Sequence, residues 1–182
     1  MMTQPAGPDS ADWQRRWTID AATVALQPVT RRLAQDVIDG GPVTRSFEDG
    51  ALHDRIPQAM GIAIRDIDSG AAALLPTVWL IVRRADGRFI GDLGTHGPPG
   101  STGCVEIGYS LAPSARGQGI GTAAVAAFVR RLAEEPGIRR LTAVTGAQNT
   151  WRLLERQGFH LIGPLPGTDE VRYSRNLSSP VR

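Results

Sequence analysis

The apolar residues of this chain change period several times, and each change marks an element. Thr23-Val-Ala-Leu-Gln-Pro28 alternates apolar with polar residues and predicts a short strand. Thr30, a preferred N-cap, then predicts a helix through Asp39, closed by Gly40-Gly41. Between Val43 and Pro76, residues Ile56, Ala59, Met60, Ala63, Ile64 and Ile67 recur at helical spacing, and one helix is expected there. Val78 to Val82 is a compact strand, Asp86-Gly87 a hairpin turn, and Arg88 to Leu93 the returning strand. A Gly/Pro-rich loop, Thr95 to Thr102, precedes a strand over Cys104 to Leu111.

A long helix is expected from about Gly117 to Glu134, stopped by Pro136-Gly137. Arg140 to Val144 is the next strand. Asn149 or Thr150 caps a helix through Gln157, which Gly158 ends. His160 to Ile162 and Val171 to Ser174 close the pattern as strands. The order predicts an α/β (α+β) fold, a mixed sheet with helices on its faces. Residues 1 to 16 read as a mobile tail, with Trp13 and Trp17 packing where it ends, and residues 17 to 182 as one domain.

Composition narrows the chemistry. The chain has 182 residues, of which 41% are apolar and 21% charged, as in ordinary globular proteins. No apolar run reaches the ~20 residues needed to span a bilayer, and no secretory leader is legible, so no membrane partner is expected. Cys104 is the only cysteine, which excludes an intrachain disulfide and suits a reducing cytoplasm. All 20 basic residues are arginine. Schiff-base chemistry and a phosphate-gripping P-loop lysine are therefore excluded. The arginines are scattered rather than gathered into a stripe, so no nucleic-acid partner is expected. His53 and His160 have no companions at metal-ligand spacing, and no metal is expected.

The most informative segment is Arg116-Gly117-Gln118-Gly119-Ile120-Gly121, between a strand and a helix. Its glycines let a ligand approach the main chain closely. The first amides of the helix lack acceptors, and the helix dipole favours an anion there. These features suit a phosphate or pyrophosphate, to which Arg116 could add a charge-assisted contact. The small residues Thr122 to Ala127 let the helix lie close to the sheet. A dinucleotide fingerprint does not fit, because the spacing is Gly-x-Gly-x-Gly and no acid ends the next strand.

These residues resemble the GNAT acetyltransferases, whose signature is Arg or Gln, two residues, Gly, one residue, then Gly or Ala. Arg116, Gly119 and Gly121 match it. The wider pattern is similar to the branch that acetylates N-termini of ribosomal proteins. Leu26-Gln-Pro-Val-Thr30, Trp79 to Val82 with Phe89-Ile-Gly91, Glu106-Ile-Gly-Tyr109 and Trp151 to Phe159 carry that likeness, over about residues 20 to 177. The resemblance implies a mostly antiparallel sheet splayed at a V-shaped opening, between the strand ending at Leu111 and the strand beginning at Arg140. It implies acetyl-CoA as co-substrate and a primary amine, on a protein N-terminus or a small molecule, as acceptor. The main chain of Tyr109, Ser110 and Leu111 would pair with the pantetheine arm. Arg116, Gly117, Gln118, Gly119, Ile120, Gly121 and Thr122 would hold the pyrophosphate. A homodimer is a common assembly among such proteins.

The same resemblance implies direct attack by the amine, which requires a base, an oxyanion donor and an acid. Glu106 is the base candidate, sharing a strand face with Cys104, Gly108 and Ser110. Leu154 stands where many relatives have a tyrosine acid, so the Thr150 hydroxyl is the replacement candidate, with helix capping as its competing role. Ala147 replaces a common asparagine, and Asn149 is the substitute expected toward the cofactor. Ala123 replaces a frequent glutamate. His96, in the loop near the expected acceptor side, reads as a solvated residue before a catalytic one, Cys104 as a small packing residue before a nucleophile, and Asp92 as a turn or surface residue before a binder of the acceptor ammonium. Two other uses of the fold stay open at this point: a non-catalytic CoA-binding sensor or scaffold, and a transferase of longer acyl groups.

Overall fold

A computed structural model describes residues 7–51, 55–97, 99–146 and 148–177. Helix α1 (Ala11–Trp17) leads into strands β1 (Ile19–Ala21) and β2 (Val24–Pro28), then helices α2 (Arg31–Ile38) and α3 (Arg55–Asp68). Strands β3 (Val78–Arg83), β4 (Phe89–Thr95) and β5 (Cys104–Leu111) form a meander. Helix α4 (Ile120–Ala133), strand β6 (Arg140–Thr145), helix α5 (Gln148–Arg156) and strands β7 (His160–Pro164) and β8 (Val171–Asn176) complete the chain.

The eight strands make one sheet in the order β1-β2-β3-β4-β5-β6-β8-β7. Every neighbouring pair is antiparallel except β5 and β6. That parallel pair needs a crossover, and α4 supplies it. Its ladder covers only Cys104↔Arg140, Val105↔Leu141 and Glu106↔Thr142. Beyond Glu106 the two strands part, as the resemblance implies.

The core is aromatic at its centre. Trp79 on β3 meets Phe128 of α4 with ring centroids 4.9 Å apart, and Trp17 of α1 at 6.3 Å. Its indole N–H donates to the Trp17 carbonyl at 2.9 Å. Leu80 faces the other way by alternation and is also buried, with α3 lying against that strand. Helices therefore cover both faces of the sheet, and α4 is clamped by the Trp79–Phe128 contact. Burying side chains of this size contributes about 1.5–3 kcal/mol each.

Several boundaries differ from the sequence reading. The segment read as the end of a mobile tail forms α1, because Ser10 caps it through the Trp13 amide and Trp13 and Trp17 are buried. Helix α4 starts at Ile120, not Gly117, because Gly117 and Gly119 take positive φ values of 73° and 77°. Strand β4 runs to Thr95, which removes Thr95 from the following loop. Helix α5 starts at Gln148, so Thr150 lies in its first turn and is not its cap. Ala147, His53 and the side chain of Asn149 lie outside the described residues.

Candidate active site

The site begins where β5 ends. After Leu111 a 3₁₀ turn (Pro113–Ala115) redirects the chain, and Arg116 follows in extended conformation. The Arg116 Nε–H donates to the Leu111 carbonyl at 3.0 Å, and the Gln118 amide donates to the Ser114 carbonyl at 2.6 Å. These two side chains brace the loop from within. Ser114 also donates to Glu48 at 2.9 Å, and Glu48 is ion-paired with Arg83 and Arg88. Hydrogen bonds from Arg83 and then Ser114 hold the Glu48 carboxyl below its ordinary range.

Gly119 is the N-cap of α4 and offers no side-chain cap to its free amides. A Cβ built on Gly117 or Gly119 would meet nothing within 4 Å. The amides of Ile120, Gly121 and Thr122 lack intrahelical acceptors and stand at the positive end of a 14-residue helix, next to this open glycine turn. Ile120 is buried and anchors the turn. These residues fit a pyrophosphate: a bare glycine main chain and helix-start amides without intrahelical acceptors, with Arg116 at the start of the turn.

The parted strands β5 and β6 open a cavity of about 310 Å³. Ile107, Gly108 and Tyr109 line one side, and Ala143, Val144 and Thr145 the other. Val125 and Phe128 of α4 and Thr150 and Leu154 of α5 close the floor. Arg55 and Glu170 add charge at the rim. The His96 N–H bonds the Glu106 carbonyl, so even-numbered residues of β5 spend their main-chain groups on β4. Those of Tyr109 and Leu111 point to the open side, while Ser110 turns toward β4. There the Ser110 hydroxyl donates to Asp92.

Tyr109 has a second asset. Its half-buried phenol shares the cleft lining with Thr150, and its ring lies against the first turn of α4, 3.5 Å from where a Gly121 Cβ would stand. Burial raises its pKa above the ordinary tyrosine value, against smaller opposing effects of Thr150 and Arg116. Leu154 is buried in the core, at 1% exposure, so no polar group reaches the cavity from that position.

Glu106 sits at the apex, the last residue of β5 paired with β6. Its Oε1 lies 2.8 Å from His96 Nδ1 and its Oε2 3.9 Å from the Arg172 guanidinium on β8. In sequence His96 stands in a loop near the expected acceptor side, a solvated residue before a catalytic one. The β4–β5 register, with Thr95 opposite Ile107, instead puts His96 across from Glu106. Hairpin counting from that pair is the signal that finds it.

A family model described as an acetyltransferase (GNAT) domain matches residues 43–160. The chain belongs to the GNAT acetyltransferase family. It is an acetyl-CoA-dependent N-acetyltransferase. No curated protein matches this acetyltransferase significantly in sequence. Among solved structures, it is similar to a ribosomal-protein-S5-alanine acetyltransferase from Vibrio fischeri, with a TM-score of 0.65 and 14% identity over 88% of this chain and 96% of that one. It is also similar to RimL, a ribosomal L7/L12 alpha-N-protein acetyltransferase in complex with coenzyme A, with a TM-score of 0.62 and 18% identity over 88% and 98%. The microcin C7 self-immunity acetyltransferase MccE, in complex with acetyl-CoA and AMP, gives a TM-score of 0.58 and 16% identity over 85% and 92%. At these identities the likeness is one of fold. The described residues of the acetyltransferase hold no helix long and apolar enough to cross a membrane, and no cluster of three metal-binding side chains.

Proposed function

We propose that this acetyltransferase moves the acetyl group of acetyl-CoA to a primary amine, on a protein N-terminus or a small molecule, by direct attack. One observation carries the reading. The β5–β6 ladder stops at Glu106, and beyond it the parted strands leave a cleft lined by Gly108, Tyr109, Val144 and Thr150 and by Val125 of α4, the helix whose N-terminal turn is bare glycine main chain. The turn Arg116–Thr122 binds the pyrophosphate. The main-chain edge of Tyr109 and the Leu111 N–H, whose carbonyl already accepts from Arg116, pair with the pantetheine arm as an added strand would. The thioester then reaches the apex, beside Glu106. The names of two structural relatives, which act on ribosomal proteins, support a protein N-terminus among the acceptors.

The chemistry follows from these positions. The acceptor arrives as an ammonium ion and gives one proton to the basic corner at Glu106. Its lone pair attacks the thioester carbonyl carbon, and the Tyr109 N–H is the main-chain donor available to the developing oxyanion. The C–S bond breaks, and the thiolate takes a proton from the Thr150 hydroxyl, which stands in the cleft with the protonated Tyr109 phenol. The second proton of the amine nitrogen returns to that hydroxyl pair. The products are an amide, a thiol and one proton released.

The test is release of free CoA from acetyl-CoA with a panel of peptides and small amines, run alongside acetyl-CoA binding. Turnover on at least one primary amine is expected. Binding without turnover on any amine points instead to a CoA-binding sensor. Glu106→Gln should lower turnover by about 10²-fold or more while sparing acetyl-CoA affinity. Turnover near wild type would make Glu106 structural.

A further inference from the structure

The pairing of His96 with Glu106 bears on where the ammonium proton goes. Glu106 is 29% exposed and held from two sides: by His96 at Oε1 and by Arg172 at Oε2. A carboxylate only accepts hydrogen bonds. His96 Nδ1 must therefore carry the hydrogen in this contact. In the neutral imidazole that leaves Nε2 with a free lone pair. The Nε2 atom lies 3.5 Å from where a Cβ of Gly108 would stand. Gly108 lines the cleft and is the next residue on Glu106's face of β5. It has no side chain, so the ring edge overhangs bare main chain at the apex of the V. On the outer side the imidazole is 67% exposed.

We infer that His96 is the catalytic base of this acetyltransferase, taking the ammonium proton at Nε2, while Glu106 is the positioning residue that fixes its tautomer and steadies the imidazolium. The inference rests on the amine-acetyltransferase reading of the cleft. The balance is simple. The ammonium N–H bond breaks and an Nε2–H bond forms, giving a neutral amine and an imidazolium paired with the Glu106 carboxylate. The amine attacks and the thiolate leaves as above. The exposed ring then passes its proton to bulk water, and the neutral tautomer returns. Among the described residues the charged groups facing this corner are Glu106 from β5 and Arg172 from β8, with Arg55 of α3 and Glu170 lining the cleft beside Gly108, and the new positive charge is paired directly with the Glu106 carboxylate.

The test compares wild type with His96→Gln, which keeps a hydrogen-bonding side chain but no basic nitrogen. Acetyl-CoA binding and the pH dependence of kcat/KM are measured for a strongly basic alkylamine acceptor and a weakly basic one that is neutral at assay pH. The expected result is a fall of about 10²-fold or more on the strongly basic amine. The weakly basic amine should lose much less, because it needs no prior deprotonation. The acidic limb of the wild-type profile should disappear in His96→Gln, acetyl-CoA affinity should stay unchanged, and added imidazole should restore part of the rate to His96→Ala. A variant with wild-type rates on both amines and an unchanged acidic limb overturns the inference and leaves Glu106 as the base. Equal losses on both amines also overturn it, since they mark a structural role. Wild type inactive on every amine sinks the functional reading itself, and this inference with it.

Discussion

The Tyr109 phenol on β5 and the Thr150 hydroxyl on α5 line the same cleft, and Thr150 opposes the upward push of burial on the phenol pKa. Two strands and two helices meet there, and neither residue was singled out by sequence for the other. Burial raises the Tyr109 pKa, so the phenol keeps its proton across the neutral range. If the pair supplies the proton for the leaving thiolate, Tyr109→Phe and Thr150→Ala should each lower turnover. The double variant should fall little further than the worse single one, because the two act as a unit. Pre-steady-state release of CoA is the measurement. Independent, multiplying losses would separate the two residues. The same shift has a stability consequence. A raised folded-state pKa favours the protonated fold below about pH 10, the ordinary tyrosine range, and that contribution is lost as pH climbs through the higher folded value. Tyr109→Phe should flatten this alkaline decline in thermal melts.

Gly119 separates binding from folding. Its φ of 77° costs a residue with a Cβ roughly 1–2 kcal/mol, yet the space around that Cβ is empty. Gly119→Val should therefore fold with a modest loss of stability, while its side chain projects over the free amides of α4. Acetyl-CoA affinity should fall about tenfold or more, since the anion loses close approach to the main chain. Calorimetric titration with acetyl-CoA checks it. Unchanged affinity would move the pyrophosphate away from this turn.

Period and punctuation made most of the elements legible. Thr30 caps α2 through the Leu33 amide as its position before the apolar stripe implies, and β5 has the bounds its alternation suggests. The departures have local causes. Gly117 and Gly119 look like a helix start in sequence, but their left-handed backbone delays α4 to Ile120. α1 was hidden because seven residues carry little periodicity, and its anchor is tertiary: the Trp13 indole donates to the Ala72 carbonyl. The anion-binding turn was readable because its chemistry is local and glycine-rich. The meeting of Tyr109 with Thr150 is not, because it depends on contacts between separate elements, and the His96–Glu106 pair becomes legible only once the β4–β5 register is known. A residue-type pattern carries the first kind of information and cannot carry the second.

The loop that presents the turn should be sensitive to acid. Glu48 is held below the ordinary carboxylate range, first by Arg83 and then by Ser114, and Arg83 chiefly lowers Asp86 as well. Groups with depressed folded-state values stabilise the fold above their unfolded pKa, about 4. That contribution is lost as pH falls through the lower folded values. Thermal melts should therefore decline steeply below about pH 4. Glu48→Gln should start lower at neutral pH and decline less. Because Ser114 would lose its carboxylate partner, the variant should also bind acetyl-CoA more weakly at neutral pH. An acid profile identical to wild type would show that Glu48 contributes nothing to the loop.

Leu154 supplies the last prediction, because a core residue stands where the resemblance implies a tyrosine. Its side chain is 1% exposed, belongs to the continuous core, and forms part of the cleft floor. Leu154→Ala should cost about 2–5 kcal/mol through lost burial and a residual cavity. In a domain of this size each kcal/mol moves Tm by about 2–4 °C, so a drop of roughly 4–20 °C is expected. Leu154→Tyr tests the chemistry separately. The larger ring would overpack the floor, costing about 1–3 kcal/mol, and would enter the space that the Tyr109–Thr150 pair borders. Turnover should fall in that variant, because the introduced phenol disturbs a donor pair already in place. If Leu154→Tyr were faster than wild type at equal acetyl-CoA affinity, the wild-type cleft would lack an adequate acid, and the role assigned to Thr150 would be lost.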